Sequence, residues 1–264
     1  MIAAPLDAKV IVVVGGTTGL GLSGAAACIE AGGRVIVVGR NADHAAAAVE
    51  RLGENARSVI GDATDSDTAR RAVRLAVEAF GRLDGLYHVA GGSGRKRGDG
   101  PLDAITDDGW DFTLRLNLSS LFYSNRAAVE QFLAQKSPGA ILNMGSVLGF
   151  SPAPKHFATH AYAAAKAAVE GLSRSAAAYY APRDIRINVV TPALVETPMS
   201  RRAVADEAVM RYVASKQRLD GGRVGQPSDL DAAVVYFLSD QSRFVTGQTL
   251  AIDGGWSVTE GRVE

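Results

Sequence analysis

A chain of 264 residues with 28 basic and 28 acidic side chains, 47% hydrophobic residues and 29 glycines has the length of one large α/β domain, since doubly wound sheets and barrels of about 250 residues fold as one unit. Its zero net charge leaves no electrostatic footprint for nucleic acid or an anionic membrane surface. One cysteine beside four histidines makes neither an internal disulfide nor a structural zinc site of the usual kind, so a reducing, cytoplasmic setting and no metal are expected.

In chain order, strands are expected at 10–14, 34–38, 58–60, 85–89, 140–144, 186–190 and 249–252. Helices are expected between them at 19–31, 42–52, 65–80, 107–135, 161–181 and 228–238. Alternation of this kind marks repeated βαβ units under a parallel sheet. Valine and isoleucine fill the strands because both faces of such a sheet are covered. Asp65 offers a cap to the third helix, and Gln226-Pro227-Ser228 opens the last. No linker or repeat divides residues 1–264, no run reaches about 18 apolar residues, and Met1 to Lys9 lacks the basic and then hydrophobic profile of an export signal. Three irregular stretches, 91–106, 146–160 and 192–225, follow strand ends, where ligands bind in an open parallel sheet.

The first strand runs into Gly15-Gly16-Thr17-Thr18-Gly19-Leu20-Gly21 and then a helix. Glycines there permit a tight turn and let backbone amides approach a pyrophosphate seated on the positive end of the helix. The spacing Gly15-x3-Gly19-x-Gly21 differs from G-x-G-x-x-G, and no Gly-Lys-Ser/Thr follows, so a P-loop is excluded. The second strand ends in Gly39-Arg40-Asn41 instead of the Asp or Glu that accepts from ribose hydroxyls in NAD sites. A guanidinium at Arg40 pairs with a 2′-phosphate, so NADP(H) is expected over NAD(H), which stays possible if Arg40 is only a solvated loop arginine.

Tyr162-x3-Lys166 sets a phenol and a cation on one helix face, roughly 6 Å apart along the axis. Positive charge nearby depresses a tyrosine whose ordinary pKa is about 10. An ordinary helix-surface pair has the same spacing, and the neighbours decide. Ser146 lies just past the fifth strand, placed to donate to a substrate carbonyl while Tyr162 moves the proton. Its alternative is a loop serine bonded to its own backbone. Gly145-Ser146-Val147-Leu148-Gly149 is not G-x-S-x-G, which excludes the usual hydrolase elbow.

These residues resemble the short-chain dehydrogenase/reductase family over nearly the whole chain. The resemblance rests on order: the glycine turn, Asp62-Ala63-Thr64, Ala90-Gly91, Asn117, Ser146, Tyr162-x3-Lys166, Pro192, Thr197, Gly247-Gln248 and Asp253-Gly254-Gly255. It implies a single Rossmann-like, doubly wound α/β domain with a seven-stranded parallel sheet in the order 3-2-1-4-5-6-7. It also implies a catalytic tetrad of Asn117, Ser146, Tyr162 and Lys166, with Asn117 supporting a water relay and Lys166 holding the nicotinamide ribose. Asp62 and Ala63 would meet the adenine side, and Pro192, Val195 and Thr197 the carboxamide side. A lid around 192–225, with a helix-prone stretch at 201–222, and a homotetramer or homodimer are further implications.

The activity implied is hydride transfer between NADP(H) and a carbonyl or secondary alcohol, as a carbonyl reductase or alcohol dehydrogenase on a small molecule. An NAD(H)-dependent dehydrogenase of the same family, or a nucleotide-sensing protein without turnover, are the alternatives. Family members usually carry threonine at position 14, two asparagines at 88 and 89 and glycine at 193, where this chain has Val14, His88, Val89 and Ala193. Val14 and Val89 are expected to exchange a polar contact between the first and fourth strands for an apolar one. Arg95, Lys96 and Arg97, with Lys155, His156 and His160, either meet an acidic or hydroxylated substrate or form solvated loop tips. His156 and His160 have the spacing of a metal pair but lack a third ligand.

Overall fold

Seven parallel strands and the helices between them account for most of residues 4–261, which the computed structural model describes. Met1 to Ala3, part of the segment considered above as an export signal, lie outside the described residues. In chain order the elements are β1 (Val10–Val14), α1 (Gly19–Glu30), β2 (Arg34–Gly39), α2 (Ala42–Leu52), β3 (Ala56–Ile60), α3 (Ser66–Phe80) and β4 (Gly85–His88). They continue with α4 (Asp107–Leu114), α5 (Ser120–Gln135), β5 (Gly139–Met144), α6 (Pro154–Phe157) and α7 (His160–Tyr180). The last are β6 (Ile185–Pro192), α8 (Arg201–Val204), α9 (Glu207–Lys216), α10 (Asp231–Leu238) and β7 (Thr249–Ile252). The sheet order is β3-β2-β1-β4-β5-β6-β7, as expected.

Each central strand divides its side chains between two cores. Ile11 and Val13 of β1 join Val35 and Val37 of β2 in a cluster with Ala25 and Cys28 of α1 and Val234 and Phe237 of α10. Val10, Val12 and Val14 face the other way, onto Ala72 and Ala76 of α3 and Ala128 and Phe132 of α5. Alternation has no polar phase because both faces are covered. Each fully buried valine contributes about 1.5–3 kcal/mol relative to an exposed one. Cys28 is part of this packing, and burial together with the charge of Asp231 pushes its thiol up to about 12, which makes it inert.

The helix expected over 107–135 is interrupted. A π-helical stretch, Arg115–Ser119, joins α4 to α5. Its cause is local: the Asn117 amide donates to the Thr113 carbonyl at 2.9 Å, and the Ser120 hydroxyl donates to the Leu116 carbonyl. Side chains that bond carbonyls one turn back compete with the helical ladder and widen it.

The strand register corrects the expected exchange between Val14 and Val89. Val14 pairs with His88, while Val89 packs with the opposite core. The replacement contact is therefore polar on one side. His88 Nε2 donates to the Ala90 carbonyl at 3.0 Å, and its Nδ1 accepts from the Ser124 hydroxyl at 2.7 Å. Burial, with the charge of Lys166, pushes His88 down to about 3, so the imidazole is neutral and keeps both bonds.

Residues 192–225 hold more structure than a loop. Val195 bridges to Gly225, and between them α8 and α9 bury Ala203, Val209 and Val213 against Val147, Ala153 and Trp256. Trp256 is ringed by Phe157 and Tyr212 at centroid distances of 6.1 and 5.6 Å. Gln217 hooks this cap to its base, accepting from the Leu194 amide at 2.9 Å. No helix among the described residues is long and apolar enough to cross a membrane.

Candidate active site

The carboxyl ends of β1 to β6 open on one cleft of about 740 Å³, where strand order reverses and ligands of such sheets bind. Its floor is the turn after β1. Gly15 takes φ of +87°, and a Cβ there would lie 2.7 Å from the Ala90 amide nitrogen. Thr17, Thr18, Gly19 and Leu20 line the cleft with Gly15. Thr18 sits at the N-cap of α1 without a side-chain cap, and the first turn carries no acidic residue. The leading amides of α1 are thus left for an anion, which fits the pyrophosphate of a dinucleotide. Gly21, read from sequence as a cofactor contact, does not line the cleft. A Cβ on it would overlap the Gly15 carbonyl, so its task is to let α1 close on the turn.

Arg40 and Asn41 follow β2 into the cleft wall, and Asp62 and Ala63 follow β3. The Asn41 side chain accepts from the His44 amide at 2.8 Å and so caps α2. Asp62 accepts from the amide and the hydroxyl of Thr64, each at 2.8 Å. Burial works against its charge, but the Thr64 bonds and the cations Arg40 and Arg115 together hold the carboxyl below its ordinary range. The Arg40 guanidinium lies 3.9 Å from Asp62, with its side chain 71% exposed, close enough to be aimed and open enough to take a second anion.

Beyond Ala90 and Gly91 at the end of β4, the cleft is lined by Ser146, Tyr162 and Lys166. Ser146 caps a short 3₁₀ turn, its hydroxyl oxygen accepting from the Leu148 amide. Tyr162 is on the first turn of α7 and Lys166 on the second. The Lys166 ammonium donates to the Met144 carbonyl at 2.7 Å and lies 5.7 Å from the centre of the Tyr162 ring. Burial pushes Lys166 down to about 8. It also raises Tyr162 above its ordinary value, with a hydrogen bond to Ser146 pulling the other way. In the protein alone burial is the larger influence on Tyr162, without the oxidised nicotinamide whose charge is expected to act together with that of Lys166. The resting phenol is protonated.

Asn117 is fully buried and forms no part of the cleft wall. Its amide nitrogen donates to the Gly92 and Thr113 carbonyls, and its oxygen accepts from the Gly92 amide, all at 2.9 Å. It anchors the Ala90 to Gly92 strip from beneath. Pro192, Val195 and Thr197 close the far wall, with Ala193 between them, and the Thr197 amide is held by the Ser200 hydroxyl at 2.9 Å.

The basic loop residues are not brought to the cleft. Arg95 donates to the His156 carbonyl at 3.3 Å, Arg97 stacks on Phe112, and His156 lies on Tyr212. Among the described residues no group of three His, Cys, Asp or Glu side chains converges as a metal site. His44, Leu116, Met199 and Ser200 line the cleft without having been singled out. The Asn41-x2-His44 and Thr197-x2-Ser200 spacings, both those of capping turns, were the available signals. Leu116 had only its place beside Asn117.

The family model for enoyl-(acyl carrier protein) reductase matches residues 14–257. A 2,5-dichloro-2,5-cyclohexadiene-1,4-diol dehydrogenase of Sphingobium indicum is 31% identical over 96% of this chain and 98% of the relative. An NADP-dependent (R)-specific alcohol dehydrogenase of Lentilactobacillus kefiri is 32% identical over 96% of this chain and 98% of its own. Among solved structures, a short-chain type dehydrogenase/reductase from Mycobacterium ulcerans superposes with a TM-score of 0.88 at 30% identity, covering 97% of this chain and 92% of that one.

Proposed function

The chain belongs to the short-chain dehydrogenase/reductase family and is an oxidoreductase, and from that premise we propose that it moves hydride between NADP(H) and the carbon of a small-molecule carbonyl or secondary alcohol. The observation that carries the reading is the meeting of Ser146, Tyr162 and Lys166 on the wall of the cleft that the α1 amides open into. When bound, the nicotinamide supplies or accepts the hydride.

In the reducing direction the protonated Tyr162 hydroxyl gives its proton to the substrate oxygen as that oxygen gains charge. Ser146, on the same cleft wall as Tyr162, steadies the same oxygen. Lys166 is held at the Met144 carbonyl and offers its positive charge to the phenolate that remains. Asn117 keeps Gly92 in place. Arg40 favours NADP(H), because no carboxylate stands at the end of β2 and a guanidinium pairs with a 2′-phosphate in a bidentate way. The exposed Phe122, Tyr179, Phe244 and Leu250, on α5, on α7 and beside or on the edge strand β7, support a homodimer or homotetramer. The single buried thiol of Cys28 suits the cytoplasm.

The test is titration with NADPH and NADH by fluorescence, followed by turnover on a panel of ketones and secondary alcohols, wild type beside Tyr162→Phe. NADPH binding retained in the mutant, with turnover down by on the order of 10²–10⁴-fold, is expected. Failure of both cofactors to bind, or turnover indifferent to the mutation, overturns the assignment.

A further inference from the structure

Asp99 lies in the segment between β4 and α4 and lines no part of the cleft. It is 4% exposed, yet both carboxylate oxygens are spent on backbone. Oδ1 accepts from the Ala161 amide at 3.0 Å and Oδ2 from the Tyr162 amide at 3.1 Å. The carbonyl of the next residue, Gly100, accepts from the His160 amide at 3.2 Å. These three amides are the ones that open α7, and a helix leaves such groups without partners of its own.

The local cap does not serve. Thr159, at the N-cap position, makes no side-chain bond to the helix, and its hydroxyl turns back to the Phe157 carbonyl. The first bond within α7 is from the Ala163 amide to the Thr159 carbonyl. So the helix that carries Tyr162 and Lys166 is started by two consecutive residues from a distant loop.

That loop is itself fixed. The Asp99 amide donates to the Gly94 carbonyl at 3.1 Å, and the Thr106 amide donates to the Gly98 carbonyl at 3.2 Å. Thr106 also caps α4, accepting from the Gly109 amide at 3.0 Å. α4 leads into the π-helical turn where Asn117 grips Gly92. Residues 92–99 are therefore held at one end by Asn117 and hold the catalytic helix at the other.

We propose that Asp99 is a positioning residue of the active site, whose carboxylate sets the depth and rotation of the first turn of α7 and thereby the place of the Tyr162 hydroxyl against Ser146. The proposal rests on Tyr162 being the proton donor. A carboxylate suits the task because it presents two acceptors to two donors that face it, and its charge lies at the positive end of the helix. Asparagine has nearly the same shape but sets an NH₂ group against one of the amides. A donor misplaced by about 1 Å costs on the order of 10²-fold in rate.

The experiment compares Asp99→Asn, Asp99→Glu and the double variant Asp99→Asn with Thr159→Asp. The double variant supplies α7 with an ordinary N-cap of its own. Turnover is measured with NADPH and the best ketone of the panel, beside melting temperature and NADPH affinity. Asp99→Asn is expected to lower kcat by tenfold or more with NADPH affinity within about twofold. The double variant recovers melting temperature and not kcat, while Asp99→Glu, keeping both acceptors, recovers part of kcat. If the double variant recovers kcat along with stability, Asp99 is only a cap and the proposal falls. Should the asparagine variants fail to fold, Asp99→Glu with wild-type stability and unchanged kcat, its crystal structure showing α7 shifted, overturns it as well. Tyr162→Phe run in parallel separates the two readings: turnover that survives there sinks the assignment of the proton donor, whereas its loss there with full kcat in a folded Asp99→Asn sinks this inference alone.

Discussion

Around the ends of β1 and β2 the cleft is shaped by leaving side chains out, and around the end of β5 and the start of α7 it is shaped by burying polar ones in and behind its wall. The first region places Gly15 against Ala90 and Gly21 against Gly15 with no room for a Cβ, and its one strong charge, Arg40, is mostly in solvent. The second places Lys166, Ser146 and Asn117 at 3%, 7% and 0% exposure, each with hydrogen bonds to backbone. Backbone closeness costs little stability, since the close contacts are themselves packing. A buried cation costs desolvation, seen in the lowered pKa of Lys166. At the glycine turn stability and function should therefore fall together, whereas in the catalytic region, and at the exposed Arg40, they should come apart.

Lys166→Met gives the largest separation. Turnover is expected to drop by at least on the order of 10²-fold, while the melting temperature at pH 7 holds or rises, because a buried charge has gone. The pH dependence sharpens the point. With the folded lysine at about 8 and its ordinary value 10.5, the unfolded chain binds more protons between those limits, so wild-type stability gains with rising pH across that window. The gain should be missing from the Met variant in chemical denaturation between pH 8 and 10. A melting temperature that falls along with activity at pH 7 would break the distinction.

Gly21→Ala should move both quantities the same way. The new methyl group meets the Gly15 carbonyl, and overpacking of this kind costs about 1–3 kcal/mol. Thermal melts should show a loss of several degrees, and fluorescence titration a weakened affinity for both NADPH and NADH. Unchanged melting with normal binding would mean that the turn yields more readily than its packing implies.

Arg40→Asp is expected to have the smallest effect on the fold and to act on one cofactor only. NADPH affinity should fall by roughly 10–100-fold, the scale of a charge-assisted pair, with NADH affinity held or improved and the melting temperature unmoved. Equal change for both nucleotides would remove Arg40 as the selector.

Much of this contrast was legible in the sequence. The valine runs of β1 and β2, the glycine turn between strand and helix and the Tyr162-x3-Lys166 spacing each carry their reason locally, through burial on two faces, steric freedom and helical period. The less legible features depend on choices among partners or on partners far along the chain. Nothing near Asn117 announced a π-helical turn, because its cause, though local, is a side chain choosing the carbonyl of Thr113 over other partners. Val14 and Val89 looked like a pair until the register set Val14 against His88. Asp99 carries no local signal of its role, since the amides it closes, those of Ala161 and Tyr162, lie far along the chain. The direction of the Tyr162 shift also needed the fold, because burial raises it while the Ser146 hydroxyl lowers it, and only packing sets their balance.

The order β3-β2-β1-β4 carries a consequence for how the chain is made. β1, β2 and β3 can pair as soon as they leave the ribosome, but the second side of β1 waits for β4, where Ile11 meets Gly85 and Val14 meets His88. At about 5–20 residues per second, that edge stands open for roughly 4 to 15 seconds in every round of synthesis. It reads Val-Ile-Val-Val-Val, with no charge or proline to turn away another strand. The strand that later carries the cofactor turn is thus, for those seconds, open to pairing with the wrong neighbour.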